Sequence, residues 1–182
     1  MTIDQPYGLV SLLEGTSERK LKALWAELQT EFGVRGGGPV PIAHLAYQVA
    51  GQYHVPALHD ALARLARSRR PFTVQVSDVE VIEGPEPVIF LRVVRSSDLL
   101  SFQHDVWEGT YFAADELPPH YHPDRWVPHL TIANQRLSDG ELARVIEFLT
   151  AKDLQWQLKI DNLALIMPGK ERPRVKWRFD LG

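Results

Sequence analysis

The 182-residue chain contains no cysteine. A disulfide framework, a thiolate metal site and a cysteine nucleophile are therefore excluded. It also lacks any apolar run long enough to span a bilayer. The opening MTIDQPYGLV has no basic stretch and no long apolar run, so a secretory leader is not expected. There is no excess of charge of one sign either: Lys and Arg number 20, Asp and Glu 23, for a net charge of −3. That balance argues against a surface coated for bulk nucleic-acid binding and leaves a local basic groove open. Three common catalytic signatures are missing. The triple glycine at 36–38 lacks the spacing and the lysine of a phosphate loop, and neither GxSxG nor HExxH occurs. What remains is a soluble, cytoplasmic globular chain, 45% hydrophobic and long enough for a substantial core.

The hydrophobic pattern alternates between periods of 2 and 3.6. Tyr7 to Leu13 reads as a short strand. Leu21, Leu24, Trp25, Leu28 and Phe32 recur at helical spacing, which predicts a helix capped by Ser17, running from Glu18 and stopped by Gly33. Gly36–Gly38 with Pro39 and Pro41 reads as a flexible connector. His44 to Val49 is a strand, Pro56 opens a helix, and Phe72 to Ile82 alternates as a strand. After Gly84–Pro85–Glu86–Pro87 the order starts again. Val88 to Val94 is a strand, and Ser96 or Ser97 caps a helix to about Trp107. Ala113 to Val127 is a long loop, and His129 to Ala133 is a strand. Ser138 with Glu141 makes a capping box, Gln157 to Met167 is one strand, and Val175 to Leu181 is the last, burying Val175, Trp177 and Phe179.

Both halves thus read strand, helix, loop, histidine-bearing strand, helix, strand. The expected fold is α+β: two pseudo-twofold-related lobes of antiparallel-rich sheet, helices on the outer faces, and a cleft between them. The whole of 1–182 forms one bilobal domain, with lobe halves near 1–84 and 85–182 and strands exchanged between lobes.

The two central strands open alike, His44–Leu45–Ala46–Tyr47 and His129–Leu130–Thr131–Ile132. In a strand, residues i and i+2 share a face. His129 therefore points with Thr131, and His44 with Ala46. Two imidazoles meeting across a cleft suit phosphodiester cleavage: the neutral ring takes a proton, the charged ring gives one, and both states lie near neutral pH. The Thr131 hydroxyl can donate to a non-bridging phosphate oxygen.

These paired motifs in a duplicated chain resemble the 2H phosphoesterase superfamily, and within it the 2′–5′ RNA ligase-like proteins. The resemblance in layout covers nearly the whole chain, and Pro128–His129–Leu130–Thr131–Ile132 matches the second motif closely. It implies a metal-independent phosphodiesterase without a cofactor, acting on an RNA end or a small nucleotide with a 2′,3′-cyclic phosphate or a 2′–5′ linkage; a monomer is expected. His44 and His129 would be the acid–base pair and Thr131 would bind phosphate. The departure is Ala46, where the first motif has Thr or Ser. A lost hydrogen bond to a charged group is worth about 1.5–3 kcal/mol, a slowing of roughly ten- to a hundredfold. Many relatives also carry a basic residue just after the second motif; here Asn134 occupies that region and Arg136 follows. A non-catalytic RNA or nucleotide binder that kept the fold is the second reading.

Beside the second motif, Pro118–Trp126 supplies further candidates for substrate contact. Tyr121 or Trp126 could stack on a base, and Arg125 or Arg136 could meet a phosphate; equally, the segment reads as a proline-stiffened surface loop with Trp126 packed on the lobe. His120 and His122, with His129 and His104, raise a zinc site, but no accompanying ligand motif supports it and no metal is expected.

Overall fold

The computed structural model describes residues 7–182. Ten strands and four helices follow one another in the order β1 (Tyr7–Leu12), α1 (Gly15–Phe32), β2 (His44–Ala50), β3 (Gln52–Tyr53), α2 (Val55–Ser68), β4 (Phe72–Ile82), β5 (Val88–Val93), α3 (Ser97–Thr110), β6 (Ala114–Asp115), β7 (His129–Asn134), α4 (Asp139–Thr150), β8 (Trp156–Ile160), β9 (Asn162–Met167) and β10 (Arg174–Asp180). They build two four-stranded antiparallel sheets, ordered β10-β9-β1-β2 and β7-β5-β4-β8, and a short β3-β6 ribbon. The α+β, antiparallel architecture expected from the sequence is the one found.

The two sheets are laid out alike. In each, the strand that opens a half of the chain (β1 or β5) pairs with the histidine-bearing strand (β2 or β7), which lies at the sheet's edge. The sheets do not divide at residue 84. β4, from the first half, pairs with β5; β9 and β10, from the end of the chain, complete the first sheet. The helices interlock as well. α1 leaves the first sheet to pack on β7 and β8, α3 leaves the second to pack on β2, and α2 and α4 cover their own sheets. One continuous core results, running from Leu9, Leu45 and Leu165 through Tyr47 and Phe102 to Leu91, Leu130 and Leu149. A second, smaller apolar cluster of Val10, Ala46, Ala164 and Ile166 lies apart from it.

Several local expectations need correction. α1 begins at Gly15 rather than Glu18, with Glu14 as its flanking residue and no side-chain cap from Ser17; Gly15, at φ 59°, turns the chain directly from β1 into the helix. α3 runs to Thr110, one turn past Trp107. The single strand expected over Gln157–Met167 is two strands in different sheets, broken at Asp161. The break is fixed by buried Asn162, whose side-chain oxygen accepts from Leu12 N at 2.8 Å and whose amide donates to Leu12 O at 2.9 Å. The long loop before β7 contains β6 and a 3₁₀ turn at Pro119–Tyr121. Val175 is exposed, because the edge strand β10 bulges between Val175 and Trp177. The capping box of α4 is present as read, with Ser138 accepting from Glu141 N and the Glu141 carboxylate accepting from Ser138 N.

The glycine connector is not loose. Gly36 bridges to Ala133 and Gly37 N donates to Ile132 O at 2.9 Å, so the segment lies along the edge of β7. Its composition has a packing cause: a Cβ on Gly36 would sit 2.1 Å from Cγ of Trp25, and Gly37 holds φ 78°.

Candidate active site

His44 and His129 are each the first residue of their strand, β2 and β7. Each is fixed in the same way. The Nδ1 of His44 lies 2.6 Å from the carbonyl oxygen of Ile42, and the Nδ1 of His129 lies 2.8 Å from that of Val127. A carbonyl only accepts, so Nδ1 carries the proton in both rings and Nε2 is left bare when the ring is neutral. Two imidazoles with the same tautomer and the same anchor, two residues back along the chain, are the structural form of the duplication seen in the sequence.

The two sheets bring these residues to one place. His44 and Thr131 line one narrow crevice together with Leu21, Trp25, Gly37, Val40 and Ile42. His44 and His129 sense each other electrostatically. Burial holds the His44 pKa down at about 4, opposed by the Ile42 carbonyl and reinforced by the charge of His129. Burial also lowers the pKa of His129, opposed by the Val127 carbonyl and reinforced by the charge of His120. Both rings are thus held toward the neutral form.

Because β2 and β7 are edge strands, their outer carbonyls need partners from elsewhere. The crossing helices supply them. Trp25 of α1 donates its indole N–H to Thr131 O at 3.1 Å, and Gln103 of α3 donates to Tyr47 O at 3.2 Å. Trp126 donates to Ala46 O at 3.0 Å. Neither Trp25 nor Gln103 stood out in the sequence as a support for the site. Trp25 was readable only as a core or interface position, and Gln103 carried no signal.

Ala46 faces the same side as His44, and its methyl group belongs to the apolar cluster of Val10, Ala164 and Ile166. Beside it lies a small, shallow apolar depression lined by Tyr7, Val10, Val40, His44, Val49 and Ile166. The missing hydroxyl is therefore not replaced by a polar neighbour on that wall. Tyr121 packs against this cluster, half-buried, its hydroxyl pKa pushed up to about 12 by burial. Trp126 is fully buried under the site and is unavailable for stacking on a base, which corrects that expectation. Arg125 and Arg136 are exposed, Arg125 in the loop before β7 and Arg136 just past its end. Among the described residues no group of three His, Asp or Glu side chains is placed to hold a metal ion.

The family model of the 2′-5′ RNA ligase superfamily matches residues 17–172 of this sequence. A Bacillus cytotoxicus protein with a provisional phosphoesterase name is 30% identical over 122 residues, 66% of each chain; the match spans slightly less than two thirds of that relative. Among solved structures, the protein TT0787 of Thermus thermophilus is similar with a TM-score of 0.65 at 19% identity, over 97% of both chains. LigT of E. coli, solved with NADP+, is similar with a TM-score of 0.61 at 15% identity, again over 97% of both chains. These two likenesses are likenesses of fold. Among the described residues no helix is long and apolar enough to cross a membrane.

Proposed function

The chain belongs to the 2′-5′ RNA ligase superfamily, and on that footing we propose that it is a metal-independent phosphodiesterase for small RNA-like substrates, a 2′,3′-cyclic phosphate end or a 2′–5′ linkage. One observation carries the reading: two histidines, one per sheet, each with Nδ1 spent on the carbonyl two residues back and Nε2 free. In hydrolysis, Nε2 of one ring takes a proton from water as its oxygen attacks phosphorus. The other ring, protonated, gives its proton to the departing ribose oxygen as the P–O bond breaks. The product is a phosphomonoester, and the pair resets by exchanging protons with solvent. Thr131 donates to a non-bridging oxygen. His44, held lowest, suits the base. The protonated ring forms when the phosphodiester anion arrives, because a nearby negative charge raises an imidazole pKa. The described residues complete the pair within one chain, so the chemistry needs no residue from a second copy.

The test is hydrolysis of a panel of 2′,3′-cyclic nucleotides and 2′–5′ dinucleotides in EDTA, with His44→Ala and His129→Ala alongside. Turnover by the wild type and a loss of about a thousandfold or more in each variant is expected, the order of a removed acid or base group. Undiminished turnover in either variant overturns the mechanism.

Ala46 in its apolar surroundings favours a second reading, a nucleotide binder that no longer turns over. It expects saturable binding of the same panel by the wild type without product.

A further inference from the structure

The two sheets share a register as well as a strand order. On the first, Leu12 stands opposite His44 and Val10 opposite Ala46. On the second, Arg92 of β5 stands opposite His129 and Phe90 opposite Thr131. Directly opposed residues of an antiparallel pair project to the same face. Arg92 therefore rises from the sheet beside His129 and Thr131, and the edge contact of the Phe90 and His129 rings, 5.2 Å between centroids, confirms that this is the His129 face. The equivalent place beside His44 is filled by leucine.

We infer that Arg92 is a phosphate-binding residue of this site, holding a non-bridging oxygen next to His129. The inference rests on the phosphodiester reading above and adds to it where the negative charge sits. A permanent cation beside the reacting phosphorus favours an anionic substrate. Two imidazoles kept toward neutrality by burial supply none before binding, and Thr131 carries no charge. A guanidinium is such a cation. It is also partly pre-oriented: its Nε lies 3.2 Å from an Oε1 of Glu80, which stands opposite Phe90 on the same face. That ion pair holds the guanidinium from its Nε side and leaves the terminal N–H groups for a phosphate. Both side chains are partly exposed, 53% and 37%, so they are accessible to an incoming ligand. The site is then polarised. The second sheet, with Arg92 and Thr131, takes the phosphate; the first sets His44 among the apolar Leu12, Val10 and Ala46.

Arg92→Gln and Arg92→Lys, checked for an unchanged thermal transition, would be compared with the wild type in two assays. Calorimetric binding of 2′-AMP reads the anion site without chemistry, and turnover of a 2′,3′-cyclic nucleotide reads it with chemistry. The expected result is roughly a tenfold or greater loss of affinity and a ten- to hundredfold fall in kcat/KM for Arg92→Gln, the range for a charge-assisted hydrogen bond. Arg92→Lys should fall in between, keeping the charge and losing the fork. Loss of binding in Arg92→Gln supports the inference even if the wild type turns over nothing on the panel, in which case only the catalytic reading fails. Wild-type affinity in Arg92→Gln, or no 2′-AMP binding by the wild type, overturns it.

Discussion

A histidine that sits partly buried at the head of a strand has a cost in acid. The His44 pKa of about 4 lies below the ordinary histidine value, so between those two values the unfolded chain binds the extra proton and the folded chain does not. This group's contribution to stability is fully present above pH 6.5, and is lost as the pH falls through about 4. His44→Gln removes the titration, so its stability relative to the wild type should improve steadily as the pH is lowered from 6.5 to 4.5; urea melts at a series of pH values check this. At this scale the sequence was legible where a motif carried the residue: His44, His129 and Thr131 are where the strand pattern placed them. Trp126 is open to two readings in the sequence because a loop aromatic can turn inward or outward without any change in local pattern; here it turns inward and donates to the Ala46 carbonyl on an edge strand. Arg92 was not visible at all. Its relation to His129 is a cross-strand register, and nothing in a linear pattern says which residue of one strand faces which of the next.

The element whose identity matters most is the stretch from Trp156 to Met167. Strand-forming apolar residues continue on both sides of Asp161–Asn162, so periodicity reads one strand; the chain instead passes from one sheet to the other at Asp161. Only the hydrogen bonds of Asn162 mark the crossing, and a single asparagine in a β-rich run is no signal by itself. Replacing it tests the point. Asn162→Ala leaves Leu12 N and Leu12 O without their partners between two sheets, and should lower stability by about 2–4 kcal/mol, two unsatisfied buried groups at 1–3 each less some relaxation; chemical denaturation measures it. Gly36→Ala is the complementary case. The added methyl group meets the Trp25 ring, and Trp25 is the side chain that holds the Thr131 carbonyl. This variant should therefore lose turnover on a 2′,3′-cyclic nucleotide beyond its loss of stability, seen as a reduced kcat/KM at a temperature where it is fully folded. The capping box of α4 and the ends of β4, by contrast, were readable from local residues alone, because local chemistry decides them.

Across the whole molecule, the repeat that the sequence shows as two consecutive halves is built as two interleaved sheets. α1 and α3 each cross to the opposite sheet, β4 joins β5, and β9 and β10 join β1. The order of elements was legible in the sequence. Which strand joins which sheet was not, since pairing between distant strands leaves no trace in periodicity. The shared core has a measurable outcome: neither sheet can unfold while the other stays native, so denaturant curves followed by indole fluorescence and by far-UV circular dichroism should coincide in a single transition. A resolved intermediate would mean that the two sheets are energetically independent.

The same interleaving sets an order during synthesis. The second sheet has all its strands once Ile160 has left the ribosome, but the first must wait for β9 and β10, and hence for Asp180. Until then β1 presents a bare strand edge on the nascent chain, the kind of surface that chaperones cover. The half that carries His44 is translated early and finished last. A stop codon after β7 and before β9 would leave a chain with both histidines present and at most one of them housed.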